Sequence, residues 1–459
     1  MIGGGISGLS VAHRLAELIR SVEAPYQVVL LEACGRLGGV IETRRQNGFL
    51  LESGPDAFIV EKPWAVNLCR RLGLSKEIIE TTPEHRRSFI VHKKKLSPVP
   101  EGFYLVAPTS LGALFRARTL SFAGKLRFLA DLAIPPRRDS SDESVGSFVR
   151  RRFGGEALER FGQPMIGGIY TAEPDRLSLQ ATFPKFGEME RRHGSVLRGL
   201  AKEGAASRAA SGPRYSLFVS LRGGLSTLVE ALAADMPEVS IRLSARAARL
   251  ESGRGWSVVL ENGERLEADA VCIALPAPQA AALIESVDPE IARDLRSIPY
   301  ESAVTINAAF RKTDVPHPLD GFGFVAPAVE GIGMVGCTFS SVKFLERAPD
   351  GAVLLRAFIG GAAQRRLIGL QDAELKKIVR EEFRRLLGIE AEPLFLSVQR
   401  FEQAMPTYPV GHLERLESLE QKTARHRGLY LTGNGYRGTG IPDCVKQAEK
   451  AAERMFRGV

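Results

Sequence analysis

The chain has 459 residues, of which 44% are hydrophobic and 25% are charged, and its formal net charge at pH 7 is +9. These values are ordinary for a globular protein, and the length is enough for more than one domain with a sizeable core. They exclude an intrinsically disordered chain, and the sequence shows neither a run of roughly 18 apolar residues that could span a membrane nor a secretory signal.

The first eight residues carry a glycine pattern that is typical of dinucleotide binding. Gly3, Gly5 and Gly8 fit G-x-G-x-x-G, a loop that turns tightly and lets a pyrophosphate approach the start of the next helix. The predicted strand at 26–31 is followed by Glu32, 24 residues after Gly8. An acidic side chain at this position can bind the ribose hydroxyls of an adenine dinucleotide. The combination predicts a nucleotide-binding βαβ unit.

This unit begins unusually close to the first residue. Only Met1 and Ile2 precede the first glycine, whereas such units normally start with a longer apolar strand. We therefore expect either that the natural start lies upstream or that the chain has been trimmed, because the core would otherwise lack a central strand.

Residues 85–214 form a basic region that is predicted to be mainly helical. They contain 23 Lys and Arg against 12 Asp and Glu, whereas the rest of the chain has 39 against 41. Such a region suits a polycarboxylate substrate, an anionic lipid or nucleic acid, or is simply a solvated surface. Apolar residues recur there at spacings that fit a membrane-surface helix or a core-facing helix: Leu111, Leu114, Phe115, Phe122, Leu126 and Leu129.

The remaining patterns predict ordinary secondary structure. Small and polar residues at 201–212 predict a mobile loop. Periodicity and turn residues predict the other elements: a helix at 65–74, a basic hairpin tip at 92–95, two or three strands between 240 and 273 with a hairpin turn at 261–264, strands at 300–310 and 353–361, and a helix at 372–387.

The cysteines and histidines do not form a recognisable catalytic or metal-binding set. The five cysteines are widely spaced without a C-x-x-C pair, which indicates a reducing compartment and buried thiols. The seven histidines are scattered, and there is neither an H-E-x-x-H nor a G-x-S-x-G motif. We therefore expect no catalytic side chain and no metal.

Several segments resemble the flavin amine oxidase superfamily. Glu32 and residues 36–39 resemble its E-x-x-x-R-x-G-G motif, and residues 52–55 resemble its E-x-G-P segment. Residues 221–225 resemble its R-G-G-L segment, and residues 428–444 resemble G-N-x-Y-x-G-x-G-x-x-D-C.

Other segments are more specific and resemble the oxygen-dependent protoporphyrinogen oxidases within that superfamily. Residues 167–178 are similar to G-x-Y-A-G-D-P-x-x-L-S, residues 320–327 to a G-F-G-F/H segment, and residues 405–412 to P-x-Y-x-x-G-H. Thr171 and Ala172 depart from the usual Ala-Gly or Gly-Gly. The resemblance runs from Gly3 to about Phe456, with the motifs in the same order.

The resemblance implies a mixed α/β (α+β) fold of two interwoven domains. A Rossmann-like FAD-binding domain would comprise residues 1–60, 215–300 and 400–459. A substrate-binding domain would comprise 61–214 and 301–399, with 85–214 as a helical, basic region that is also a candidate for membrane association.

The resemblance also implies FAD as the cofactor. The backbone at Gly38 and Gly39 would lie with Arg36 along the pyrophosphate, and the segment 54–56 would pass near the flavin ring. The helix after Asp443 would direct its dipole at the flavin, which favours the anionic reduced form. The residues implied to contact FAD are Gly3, Gly5, Ile6, Ser7, Gly8, Glu32, Ala33, Arg36, Leu37, Gly38, Gly39, Gly54, Pro55, Asp56, Ala247, Gly433, Asn434, Gly440, Ile441 and Pro442.

The implied reaction is oxidation of a porphyrinogen to a porphyrin in heme biosynthesis. A bridge carbon would lose hydride to the flavin, and molecular oxygen would reoxidise the flavin and form hydrogen peroxide, over three two-electron steps. Protoporphyrinogen IX is the first choice of substrate, and coproporphyrinogen III, with more carboxylates for the basic region, is the alternative. Many family members carry an arginine for a substrate carboxylate where this chain has Ser88. Either of the preceding residues, Arg86 and Arg87, could take over that role, or the carboxylate is held elsewhere, and Arg87 is the residue chosen. The residues implied to contact substrate are Arg87, Gly168, Ile169, Ala308, Phe322 and Cys337.

Porphyrinogen and oxygen are the partners that the resemblance implies, and nucleic acid is not one of them. The expected location is the cytoplasm. Peripheral contact with the cytoplasmic face of the inner membrane is left open, and so is the formation of a homodimer. The competing hypotheses are an amine oxidase, a carotenoid desaturase and a non-catalytic flavin-fold binding protein.

Overall fold

The computed structural model describes residues 1–99, 102–104, 106–139, 141–207, 218–361 and 364–458. Its strands are β1 (Val29–Leu31), β2 (Thr43–Gln46), β3 (Phe49–Glu52), β4 (Phe58–Ile59), β5 (Ile78–Glu80), β6 (Phe89–His92), β7 (Lys95–Pro98), β8 (Phe103–Tyr104), β9 (Ala107–Pro108), β10 (Phe218–Leu221), β11 (Ser240–Arg242), β12 (Ala247–Ser252), β13 (Trp256–Leu260), β14 (Arg265–Ala268), β15 (Val271–Ile273), β16 (Tyr300–Arg311), β17 (Gly323–Val325), β18 (Gly336–Thr338), β19 (Ala352–Gly360), β20 (Phe395–Pro406) and β21 (Leu429–Leu431).

The structure also contains helices. They are α1 (Ile6–Val22), α2 (Trp64–Arg71), α3 (Leu111–Arg116), α4 (Phe122–Leu129), α5 (Val145–Phe153), α6 (Gly155–Ala157), α7 (Gln163–Tyr170), α8 (Leu179–Thr182), α9 (Pro184–His193), α10 (Val196–Ser207), α11 (Ser226–Ala234), α12 (Ala277–Ile284), α13 (Pro289–Arg296), α14 (Ser340–Lys343), α15 (Arg365–Ile368), α16 (Asp372–Leu387), α17 (His412–Thr423) and α18 (Ile441–Gly458). A single π-helical turn, Leu158–Gly162, leads into α7. Within the described residues, no helix is long and apolar enough to cross a membrane.

A parallel sheet forms the centre of the nucleotide-binding half. β1 pairs with β11, β15 pairs with β21, and the backbone of Ile2 bridges the two pairs through Leu31 and Ile273. The Ile2 N–H donates to the carbonyl of Cys272 over 3.0 Å, and the Gly3 N–H donates to that of Leu31 over 2.8 Å. The position of the central strand is therefore filled by the residues immediately before the glycine loop.

A seven-stranded sheet forms the centre of the other half. Its strand order is β20-β16-β19-β18-β17-β6-β7, and the pairs are antiparallel except for β17 with β6. Alternation of side chains gives the sheet two faces. One face packs on α16 through residues such as Val304 and Phe383, while the other turns Asn307 and Arg356 towards the nucleotide-binding half.

Most predicted elements are present, and a few differ from the expectation. The helix at 372–387 and the hairpin turn after Leu260 are confirmed. The interval 240–273 contains five strands rather than two or three. Residues 201–207 belong to α10 instead of a mobile loop, because alanine and lysine favour helix and Leu200 anchors its apolar face in the core. Residues 208–212 lie outside the described residues.

The hydrophobic core clusters can be compared with the predicted domains, although they do not define domain boundaries. One cluster joins α1, α11 and α18, and it also contains α2, which the predicted boundaries place in the substrate half. A second joins the helical region α3–α10 with the edge of the seven-stranded sheet at Ile90. The prediction of buried thiols holds for Cys69, Cys272, Cys337 and Cys444, whereas Cys34 is exposed.

Candidate cofactor site

The glycine loop forms an open cradle at the start of α1. The helix begins after Gly5 with no side-chain cap and no acidic residue in its first turn, so its first N–H groups face outwards with the positive end of the helix dipole. Gly3 has a φ of +105°, and a Cβ on Gly8 would lie 1.8 Å from the Gly3 carbonyl oxygen, so both positions require glycine. A Cβ on Gly5 would meet only the Gly39 Cα at 4.0 Å. That space suits a pyrophosphate.

Glu32 lies beside this loop at the end of β1. Its carboxylate accepts hydrogen bonds from the N–H of Gly4 at 2.7 Å and from the N–H of Cys34 at 2.8 Å. Each carboxylate oxygen has a further lone pair for a ribose hydroxyl. The Ala245 N–H donates to the Glu32 carbonyl over 2.8 Å, which brings the start of β12, at Ala247, close to Glu32 and Ala33.

A glycine turn at residues 37–39 covers the same loop. The Gly38 N–H donates to the Gly4 carbonyl over 2.8 Å, and Gly38 and Gly39 have φ values of +101° and +60°. The exposed Arg36 guanidinium donates to the carbonyl oxygens of Gly39 at 2.7 Å and of Leu37 at 3.1 Å. In this structure Arg36 therefore stabilises the turn, and its location along the pyrophosphate stays a prediction.

The starts of α1 and α18 meet at one place. The two helices, α1 and α18, pack against each other. Ile6, Ile441 and Cys444 share the same core cluster. Two helix N-termini that converge beside a glycine cradle are a favourable environment for a bound anion.

The loop before α18 is fixed by Tyr408 and His412. The Tyr408 hydroxyl donates to the Asn434 carbonyl at 2.5 Å and accepts from the Gly438 N–H at 2.9 Å. The His412 ring stacks on Tyr408 at 4.3 Å, and its Nε2 lies 2.8 Å from the Tyr436 carbonyl oxygen. Gly433 has a φ of +144°, which glycine adopts readily. Gly440, Ile441 and Pro442 follow this loop into α18.

Lys62 and Asp443 form an ion pair at the first turn of α18. The Lys62 Nζ lies 2.6 Å from a carboxylate oxygen of Asp443. The pair offsets the charge that Asp443 would otherwise add beside the helix start, where an anionic cofactor group would bind.

The segment 54–56 lies between the glycine turn and the seven-stranded sheet. A Cβ on Gly54 would lie 1.8 Å from the Val40 carbonyl oxygen, so the segment closely approaches the residue that follows the glycine turn. Pro55 is half-buried, and Asp56 accepts from the Lys343 ammonium at 2.9 Å. Burial raises the pKa of Asp56, but the charges of Lys343 and Arg356 outweigh burial and hold it below its ordinary value.

A cluster of buried charges behind this segment was missed by the sequence analysis. It contains Glu52, Asp56, Lys343, Arg347 and Arg356, and all but the half-buried Asp56 are nearly inaccessible to solvent. Burial raises the pKa of Glu52 and lowers the pKa of Arg356. A cavity of about 10 Å³ within the cluster has room for one water molecule. The sequence does contain a signal for this cluster, because the otherwise apolar strand 352–360 includes an arginine, Arg356, that would need a buried partner.

The structure does not bring all the predicted substrate residues together. Gly168 is exposed on α7, and the backbone of Ile169 continues the same helix. Phe322 is buried, and its N–H donates to the Arg87 carbonyl over 2.8 Å. Ala308 and Cys337 instead face the core beneath α16, on the side of the sheet opposite Asn307 and Arg356. We therefore do not include Ala308 and Cys337 in the site.

The basic helical region exposes several large apolar side chains. Phe122 is 71% exposed, Leu111 55%, Leu126 50% and Phe115 49%, whereas Leu114 is fully buried. The predicted apolar stripe thus divides between the core and a surface patch on α3 and α4.

A glycine cradle, a carboxylate at the end of β1 and two converging helix starts are typical of a dinucleotide-binding protein. The chain belongs to the flavin containing amine oxidoreductases, whose family pattern matches residues 6–456. It is an oxidoreductase, its cofactor is FAD, and the open cradle at Gly5 fits the pyrophosphate of that cofactor.

Similarity to individual proteins extends over nearly the whole chain. A coproporphyrinogen III oxidase of Propionibacterium freudenreichii is 34% identical, over 99% of this chain and 90% of that protein. A coproporphyrinogen III oxidase of Bacillus subtilis is 32% identical, over 98% and 96%. The crystal structure of a provisionally assigned protoporphyrinogen oxidase from Exiguobacterium sp. 255-15 is 29% identical, has a TM-score of 0.87, and covers 99% of this chain and 97% of that one.

Proposed function

We propose that this chain oxidises a porphyrinogen to a porphyrin with FAD as cofactor and molecular oxygen as acceptor, and that coproporphyrinogen III is its substrate. The supporting observation is the end-to-end similarity to bacterial coproporphyrinogen III oxidases at 32–34% identity. This order of preference is the reverse of that in the sequence analysis. Protoporphyrinogen IX is the second candidate, supported by the similarity to the Exiguobacterium protein.

The chemistry makes few demands on protein side chains. FAD, when bound, supplies the hydride acceptor for a bridge carbon of the macrocycle. The chain's own task is to hold an apolar macrocycle in a water-poor slot and to pair its carboxylates with cations. Phe322 suits the wall of that slot because it is a large, buried aromatic residue whose backbone N–H donates to the Arg87 carbonyl, beside Arg86.

The structure favours Arg86 over Arg87 as a partner for a substrate carboxylate. The Arg87 guanidinium is already engaged, because it forms an ion pair with Asp320, donates through Nε to the Asp320 carbonyl at 2.5 Å and lies over the Phe89 ring. Arg86 has no carboxylate closer than Glu80 at 4.0 Å, and its buried Nε has no hydrogen-bond partner among the described residues. We therefore propose Arg86 as the carboxylate partner, and the role of Arg87 stays a prediction.

We also propose that the patch on α3 and α4 makes peripheral contact with an anionic membrane. Four apolar side chains project there among exposed Arg116 and Arg118, and the half-buried Lys125 lies beside them. An apolar surface with a basic border is typical of helices that lie in a membrane interface.

The test is an assay with anaerobically prepared porphyrinogens. Coproporphyrinogen III and protoporphyrinogen IX are offered separately, and porphyrin fluorescence and hydrogen peroxide are followed after air is admitted. We expect a higher kcat/KM for coproporphyrinogen III. A higher value for protoporphyrinogen IX would favour the second candidate, and turnover of neither would refute the proposed activity.

A further inference from the structure

Side chains of the seven-stranded sheet hold the backbone of residues 52–54. The Thr305 hydroxyl donates to the Ser53 carbonyl at 2.9 Å, and the Asn307 amide donates to the Glu52 carbonyl at 3.2 Å. The Arg356 guanidinium donates to the Ser53 carbonyl at 3.0 Å and also to the carbonyl of Gly54. A short segment thus receives four hydrogen bonds from one sheet.

These three donors lie on the same face of the sheet. Asn307 and Arg356 are direct partners in the pairing of β16 with β19, and Thr305 lies two residues before Asn307. The neighbouring positions Ile306 and Leu355 face the core under α16 instead. A polar face within an otherwise apolar sheet indicates a specific recipient, because buried donors are costly unless they are paired.

The segment also touches residues 40–42, which directly follow the glycine turn of the cofactor site. The Ser53 N–H donates to the Glu42 carbonyl over 2.9 Å, and a Cβ on Gly54 would clash with the Val40 carbonyl. Within the glycine turn, the Gly38 N–H donates to the Gly4 carbonyl of the cradle. A continuous series of contacts therefore joins Arg356 to the loop that begins the cofactor site.

We propose that Arg356 is a positioning residue for FAD, because its guanidinium fixes the Ser53 and Gly54 carbonyls and thereby holds the segment against the cradle. Arg356 is 3% exposed, and its Nη2 donates to both adjacent carbonyls from the end of a rigid, planar group. A lysine keeps the charge, but its ammonium lies on a flexible stem and ends one bond short of the Nη2 position, so it does not hold the two carbonyls in the same geometry. This inference goes beyond the proposed function and does not depend on which substrate the enzyme takes.

Arg347 provides a matched control. It is also 3% exposed and belongs to the same buried charge cluster, but its guanidinium donates to the carbonyls of Arg222 at 3.0 Å and Leu221 at 2.8 Å and to the Ser220 hydroxyl at 3.1 Å. The Ser220 hydroxyl donates to the Asp56 carbonyl, so Arg347 reaches the segment through another side chain. Arg356→Lys and Arg347→Lys therefore make the same chemical change at equal burial, whereas the first changes direct hydrogen bonds to Ser53 and Gly54.

The experiment measures the dissociation constant of FAD by titrating apoprotein, together with the visible circular dichroism of the bound flavin and the Tm of each apoprotein. We expect both variants to lower the Tm similarly, while Arg356→Lys weakens FAD binding by about tenfold relative to Arg347→Lys and alters the flavin signal, since about 1.4 kcal/mol is lost. Equal FAD affinities for the two variants would overturn the inference.

Thr305→Val keeps the inference testable if Arg356→Lys does not fold. This variant removes the neighbouring hydrogen bond to the Ser53 carbonyl, retains every charge and preserves the shape of the side chain. We expect a smaller weakening of FAD binding, of about threefold. An unchanged FAD affinity in this variant would contradict a positioning role for the sheet face.

Discussion

The buried ring of His412 predicts how the stability of the protein depends on pH. His412 is fully buried, its Nε2–H donates to the Tyr436 carbonyl, and its Nδ1 has no partner among the described residues. Burial lowers its pKa to about 4 from 6.5. The hydrogen bond to Tyr436 and the charge of Asp142 oppose this shift, whereas Arg415 and Arg437 add to it.

The sign of the effect follows from where the proton binds. Above pH 6.5 the imidazole is neutral in both the folded and the unfolded chain, so it contributes no pH dependence. As the pH falls from 6.5 towards 4, the unfolded chain takes up a proton that the folded chain does not, and the free energy of unfolding decreases. The shift from 6.5 to about 4 corresponds to a loss of about 3 kcal/mol.

The assay is urea denaturation of the apoprotein at a series of pH values from 7.5 to 4.5, for the wild type and for His412→Gln. Glutamine carries no titratable group, so the difference in free energy of unfolding between the two proteins isolates the histidine from the other acids and bases. We expect the wild-type advantage to shrink by about 2.5 kcal/mol across this range, since pH 4.5 is still above the folded-state pKa of about 4. A difference that stays constant with pH would refute this account of His412.

Three further predictions concern the site and the surface patch. Tyr408→Phe leaves the Gly438 N–H and the Asn434 carbonyl unpaired and should weaken FAD binding by about tenfold, measured by titration, while Tyr430→Phe, at an exposed hydroxyl, should not. Phe322→Ala should lower kcat/KM for the porphyrinogen by about tenfold and leave FAD bound; loss of FAD instead would place Phe322 outside the slot. Phe122→Ser combined with Leu126→Ser should abolish sedimentation with vesicles of anionic lipid without changing turnover in solution, and undiminished sedimentation would exclude this patch as the contact surface.

Local rules explain which parts of the fold could be predicted from the sequence. The glycine loop was predictable because a Cβ on Gly3 or Gly8 would collide with backbone atoms. Glycine is therefore required at both positions, and the spacing of the two glycines indicates the shape of the loop. The helix Asp372–Leu387 was predictable because its apolar period and its capping box lie within the helix itself. The loop prediction was wrong for residues 201–207 because a low apolar content does not distinguish a solvated helix from a loop.

The direction in which side chains of the seven-stranded sheet point could not be predicted in the same way. Ala308 and Asn307 are adjacent in one strand, and alternation requires them to face opposite layers. Which layer contains the cofactor depends on how the sheet packs against α16 and against the segment 52–56, and no local pattern encodes that choice. Resemblance assigned Ala308 to the site, whereas its side chain lies under α16.

The buried charges lie where the polar face of the seven-stranded sheet meets the segment 52–56. Glu52 is fixed by the Leu225 N–H and the Thr43 hydroxyl inside the nucleotide-binding half, and its backbone carbonyl is held by the sheet. Arg356 lies at this contact, and burying its positive charge without partners would cost free energy. Its two carbonyl partners and the nearby carboxylates reduce that cost only when the segment lies in its native position. The arginine therefore favours one relative placement of sheet and segment, which apolar packing at this position would specify less sharply.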